Sequence, residues 1–179
     1  MRGSKMEIGM RVKIGDITEM GDVEAIVNAS NGKGLMGTGV AWTIGQEMGE
    51  GVRTAVRRIC EENGGYKEGD CYVSPPGDLA ENGIKSVYHA VTMEYPGGPT
   101  SMDVVGKAMR ATLDKAIANG IKSIAFPGLG TGVGRLNPQQ VASKMVGIAE
   151  SYAHKIEITI IDIDKEFIEF AKKARKTET

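Results

Sequence analysis

The chain has almost no excess charge of either sign. Its 22 lysines and arginines stand against 23 aspartates and glutamates, so no global field draws it to nucleic acid or to an anionic membrane, and any anion site must be local. It contains no run of about 18 apolar residues and no signal-peptide core, which argues against a membrane-spanning helix and favours an intracellular location, the cytoplasm by default. Cysteine is scarce. Cys60 and Cys71 show neither metal-ligand spacing nor a neighbouring base, and read as inert thiols of a reducing compartment. No cofactor or metal is expected. No internal repeat, low-complexity segment or linker divides the 179 residues, so one domain is expected, large enough to bury its own core. Met1 to Ser4 read as an expression leader, which sets that domain at residues 5–179.

Glycine, by contrast, is plentiful: 25 residues, more than average usage predicts, and most of them fall in loops. The stretch from Glu24 to Gly39, EAIVNASNGKGLMGTG, organises the rest. Ala25, Ile26 and Val27 read as a buried strand, Asn28 and Asn31 bring amides to its end, and glycines 32, 34, 37 and 39 let the backbone approach something bulky. A second strand at 122–126 runs directly into another such loop, PGLGTGVGRL. Further strands are expected at 6–14, 71–74, 86–91 and 156–161. Helices are expected at 40–48, 52–62, 100–119, 137–152 and 165–176, the third started by Thr100 and Asp103 and the fourth by Asn137 and Pro138. The segment 92–100, with its two prolines, is expected to be a loop. Strands interleaved with helices give an α/β fold, a three-layer α/β/α sandwich around a mixed, mostly parallel central sheet.

Two familiar nucleotide motifs fail. Gly32-x-Gly34-x-x-Gly37 spells a dinucleotide fingerprint, yet about 20 residues on, near Arg57, the chain is still helical instead of entering a strand with an acidic residue. The same glycines begin a phosphate loop, but Thr38 and Gly39 stand where Lys and Ser or Thr belong. The paired loops are the stronger signal. Gly130, Thr131, Gly132, Val133 and Gly134 can aim backbone N–H groups at a diphosphate without any lysine, and a helix starting at Asn137 would add its dipole. His89 reads as a packed mid-strand residue. Trp42 reads as packing or as a border of the site, Arg135 as a phosphate contact or a solvated cation, and the Arg53, Arg57, Glu61 side of its helix as a solvated face.

Four linked segments resemble the macrodomain family over about residues 6 to 170: Gly15-Asp16-Ile17-Thr18; Ala25-Ile26-Val27-Asn28-Ala29-Ser30-Asn31; Gly37-x-Gly39-Val40-Ala41; and Ser123-Ile124-Ala125-Phe126-Pro127 followed by Gly130-Thr131-Gly132-Val133. The resemblance implies binding of ADP-ribose and related derivatives. By the same resemblance, Asp16 would accept a hydrogen bond from the adenine amino group and the backbone of Ile17 would hold the neighbouring ring nitrogen. Asn28 and Asn31 would order the first loop, with Asn31 reaching the distal ribose. Gly39 and Val40 would approach ribose and phosphate, and the segment from Gly130 through Thr131, Gly132 and Val133 to Gly134 would wrap the diphosphate.

The chain also departs from that pattern. Where many de-ADP-ribosylating members carry Gly-Val-Asp, Val40 is followed by Ala41, so the carboxylate that positions water in them is absent. Gly134 stands where many have an aromatic residue over the distal ribose, and Asp162, Ile163 and Asp164 occupy the place of an aromatic stack on adenine. Two functions therefore stay open. One is hydrolysis at the distal ribose, with Asn31 ordering water, acting on an ADP-ribosyl ester, O-acetyl-ADP-ribose or ADP-ribose-1''-phosphate. The other is a non-catalytic reader of ADP-ribosylated proteins or poly(ADP-ribose). Balanced charge disfavours general nucleic-acid binding.

Overall fold

The computed structural model describes residues 9–175. The leader at 1–4, the first residues of the expected opening strand and the end of the last expected helix lie outside the described residues. In chain order the elements are β1 (Met10–Ile14), β2 (Ala25–Asn31), α1 (Gly39–Met48), α2 (Glu50–Glu62), β3 (Cys71–Ser74), β4 (Ser86–Met93), α3 (Met102–Ala118), β5 (Ser123–Phe126), α4 (Pro138–Tyr152), β6 (Glu157–Asp162) and α5 (Lys165–Ala174). Two short 3-10 turns, Ile17–Glu19 and Gly77–Asn82, complete them.

The strands form one sheet in the order β1-β6-β5-β2-β4-β3. Every neighbouring pair is parallel except β3 with β4. Parallel sheets are covered on both faces, which is why their strands read as apolar runs without alternation. Along β2, Ala25 and Val27 join the core under α3, α4 and α5, with Met109, Phe126, Met145 and Phe167. Ile26 between them joins the core under α1 and α2, with Ile44, Met48, Val56 and Leu79. Each of the larger buried side chains contributes about 1.5–3 kcal/mol, and together they hold two strands side by side. Those strands are β2 and β5, so the two glycine loops that follow them leave adjacent carboxyl ends, the usual place for a ligand crevice in an open α/β sheet.

Several boundaries differ from those read in the sequence. β2 continues to Asn31, so Asn28 is mid-strand and not at a strand end. β4 extends through Thr92 and Met93, both buried, into the stretch expected to be loop. The cap of α3 is Ser101, whose hydroxyl accepts from the Val104 N–H at 3.2 Å, and Thr100 lies outside the helix. Gly51 falls inside α2, and α1 meets α2 at Gly49, whose φ of 98° needs glycine. Asn137 caps α4 and Pro138 opens it as expected.

Candidate functional site

Two cavities lie end to end across the carboxyl edge of the sheet and share Gly39, Val40, Gly128 and Gly132 as a waist. The first, of about 410 Å³, is bordered by Asp16, Ile17, Ile161, Asp162, Ile163 and Asp164 among others. Asp16 ends the loop after β1 and caps the first 3-10 turn: its Oδ1 accepts from the Thr18 N–H at 2.9 Å and from the Thr18 hydroxyl at 2.7 Å. Those bonds fix the carboxylate and leave Oδ2 for a ligand donor. Asp162, at the end of β6, ties three segments together. Its Oδ2 accepts from Gly128 N–H and its Oδ1 from Asp164 N–H, each at 2.9 Å, while its carbonyl accepts from Gly15 N–H at 3.0 Å. Where the resemblance leads one to look for an aromatic, this clamp stands, with Ile163 beside it at the mouth, 77% exposed.

The waist is lined by amides. Thr38 occupies the cap position of α1 but makes no side-chain bond to it, and the Trp42 N–H is the first to turn back, to Thr38 O at 3.1 Å. The N–H groups of Gly39, Val40 and Ala41 are thus uncommitted at the positive end of a helix. From the other side, Arg135 N–H and Leu136 N–H close onto the carbonyls of Gly132 (3.1 Å) and Gly130 (3.0 Å). The amides of Thr131, Gly132, Val133 and Gly134 take no part in that closure. Two sets of free N–H groups facing one gap suit an anion without any lysine. The helix end is that of α1, not of α4. Asn137 caps α4 itself, its Oδ1 accepting from Gln140 N–H at 3.0 Å, and it borders neither cavity.

The second cavity, of about 360 Å³, is lined by Asn31, Leu35, Ala41, Met93, Pro96 and Val133, among others. Its polar side chains are Ser30, Asn31, Thr38 and Thr92, and among the described residues no titratable side chain borders it. Asn31 staples the first loop: its Oδ1 accepts from Lys33 N–H (3.0 Å) and Leu35 N–H (3.3 Å), and its Nδ2 donates to Leu35 O (2.8 Å). One amide hydrogen is left for the cavity. Gly134 has no room for a side chain on this backbone: a Cβ there would lie 2.7 Å from Gly130 O and 2.8 Å from Thr100 Cγ2. An aromatic cover from that position is sterically closed.

Not every residue singled out in the sequence reaches the site. Asn28 is fully buried, behind the cavity. Its Nδ2 lies 3.1 Å from His89 Nδ1, and His89 Nε2 lies 2.9 Å from Ser74 Oγ, which donates to Pro75 O at 3.2 Å. With the amide donating, His89 carries its proton on Nε2 and is neutral, and burial pushes its pKa down to about 3. Tyr72 stacks on His89 at 4.6 Å, and its hydroxyl meets Ser30 Oγ at 2.8 Å, which donates to Asn31 O at 3.0 Å. This polar seam supports the end of β2 from behind. Trp42, 48% exposed, is not a core residue, and neither it nor the exposed Arg135 borders the two cavities.

Of the four glycines in the first loop only two face the gap. A Cβ on Gly32 would lie 1.7 Å from Tyr66 O and one on Gly34 2.9 Å from Val56 O, so those two serve the chain's own packing, while Gly37 and Gly39 are open. Arg53 is not on a solvated face. Its Nη2 donates to Met36 O (3.0 Å) and its Nη1 to Gln46 Oε1 (2.6 Å), bracing the first loop. Arg53 and Asp162 are the supporting residues that sequence reasoning missed, and a charged i, i+4 face and an Asp-Ile-Asp turn gave no signal of it.

The comparisons agree with this fold. The sequence model of a family described as Macro domain matches residues 27–145. An uncharacterized protein of Aquifex aeolicus is 37% identical over 162 residues, 89% of this chain and 93% of that one. An O-acetyl-ADP-ribose deacetylase of Cronobacter sakazakii is 35% identical over 120 residues, which cover 66% of this chain and 64% of the enzyme. A mutant of the Oceanobacillus iheyensis macrodomain, solved with ADPR, has a TM-score of 0.79 at 20% identity, covering 92% of this chain and 89% of that chain.

Proposed function

The chain belongs to the Macro domain family, and on that premise we propose that it binds ADP-ribose and its derivatives across the two cavities. Adenosine sits in the cavity bordered by Asp16 and Ile17, the diphosphate at the waist formed by Gly39, Val40 and the 130–134 loop, and the distal ribose against Asn31. The observation that carries this reading is the waist. It presents amides from the second glycine loop and from an uncapped helix end, with a fixed carboxylate on one side of it. Each charge-assisted hydrogen bond there is worth about 1.5–3 kcal/mol, so a few anchor a diphosphate. Asn28 acts indirectly, through the strand that carries the first loop.

Hydrolysis at the distal ribose has no side-chain acid or base to draw on, because no titratable group among the described residues borders that cavity. Water attacking a substrate there is oriented by the free Asn31 amide hydrogen and loses its proton to the ligand's own phosphate. The same absence favours a second reading, a module that reads ADP-ribosylated proteins or poly(ADP-ribose) without turnover. The cytoplasm is the compartment we assign, supported by Cys60 and Cys71, both buried and both free thiols.

Titration calorimetry with ADP-ribose, AMP and NAD tests the binding mode. ADP-ribose is expected to bind at least about tenfold more tightly than AMP, and equal affinities would rule the model out. Turnover of an ADP-ribosyl ester, O-acetyl-ADP-ribose and ADP-ribose-1''-phosphate, each against an Asn31→Ala control, then separates enzyme from reader.

A further inference from the structure

Resting on the ligand orientation just given, we propose that the cavity beyond the waist takes an uncharged, apolar group carried on the distal ribose, in preference to a phosphate or another charged group. With adenosine held at Asp16 and the diphosphate at the shared glycines, whatever lies past the second phosphate enters the cavity of about 360 Å³. A pentose fills only part of it. An apolar part of the remaining wall is supplied by Leu35 from the first loop, Met93 from the end of β4, Pro96 from the loop after it and Val133 from the second loop.

Leu35 and Val133 are 42% and 54% exposed, and they border the same cavity instead of standing singly on the surface. The site itself explains them: a hydrocarbon group on the ribose would remove both from water at once. A doubly charged phosphate in the same place would face no cation, since among the described residues no lysine, arginine or histidine borders the cavity, and would sit beside the ligand's own diphosphate.

The substrate class that fits is therefore ADP-ribose bearing an alkyl or acyl group longer than acetyl, or ADP-ribose joined to an apolar stretch of its carrier. The test is calorimetric titration with ADP-ribose, its 1''-O-methyl and 1''-O-butyl glycosides, which resist hydrolysis, and ADP-ribose-1''-phosphate. Each methylene buried is worth about a fourfold gain in affinity, so the butyl glycoside is expected to bind at least about tenfold more tightly than the methyl glycoside. The 1''-phosphate is expected to bind more weakly than ADP-ribose. In Leu35→Ser and Val133→Ser the butyl-to-methyl ratio should fall below about threefold, and because it is taken within one variant, a general loss of affinity does not imitate the effect. Equal binding of the two glycosides, preference for the phosphate, or an unchanged ratio in both variants overturns the proposal while leaving ADP-ribose binding intact. Absence of ADP-ribose binding overturns the parent reading, and the proposal with it.

Discussion

The two cavities are built on opposite plans. The one beside Asp16 is bordered by three carboxylates, each committed by hydrogen bonds to backbone amides. The one beside Asn31 has no titratable group among the described residues and a partly exposed apolar rim. Fixed charge with directional acceptors suits recognition of one heterocycle. An uncharged, apolar wall suits an apolar group at the far end. On the proposed ligand orientation, the first cavity selects the base and the second selects against charge.

The contrast is broken most sharply by placing a carboxylate in the uncharged cavity. Ala41→Asp should raise kcat for acetate release from O-acetyl-ADP-ribose by roughly 100-fold, the typical contribution of a positioned general base. No change would mean that position 41 does not face the reacting ester. On the charged side, Asp16→Ala should weaken ADP-ribose binding by about 10- to 100-fold, measured by calorimetry, with ribose 5-phosphate, which lacks adenine, unaffected.

A third measurement separates the cavities from what supports them. His89 borders neither, and its pKa lies near 3 in the folded chain against 6.5 for an unburied histidine. The unfolded chain therefore binds the extra proton between those values, and stability present above pH 6.5 is lost as pH falls toward 3. Denaturant titration should show a loss of about 1.5 kcal/mol between about pH 6.5 and 5, and His89→Gln should flatten that slope. The smallest effect is expected at the mouth of the adenine cavity, where Ile163→Phe should tighten ADP-ribose by about two- to tenfold through stacking; weaker binding would place adenine away from Ile163.

Much of this was legible in the sequence, and for identifiable reasons. Strands written as β-branched runs, the Asn137-Pro138 helix start and the two glycine loops all carry local signals that the fold preserves. The family resemblance rested on residues that do meet in space: Asp16, Asn31, Gly39, Val40 and the 130–134 loop border one continuous crevice. What stayed hidden depends on long-range contact. A strand buried on both faces has no alternation to mark its end, so Asn28 read as a strand-end residue when it lies mid-strand as a partner of His89. Thr38 is a residue type that commonly caps a helix, yet its hydroxyl leaves the amides of α1 open. Asp162 reaches Gly128, 34 residues earlier, and no local pattern announces such a bond.

The close approach of Gly134 to the Gly130 carbonyl also limits which changes natural variation can try. A lid cannot arise there by replacing one residue, since any side chain would first have to unmake the loop that we propose holds the diphosphate. Cover can come from the rim positions that stand open, Leu35 at 42% and Val133 at 54% exposed, or through an insertion that lengthens the loop. The mouth of this cleft is left open by the backbone at position 134, and a descendant of the chain would have to close it from elsewhere on the rim.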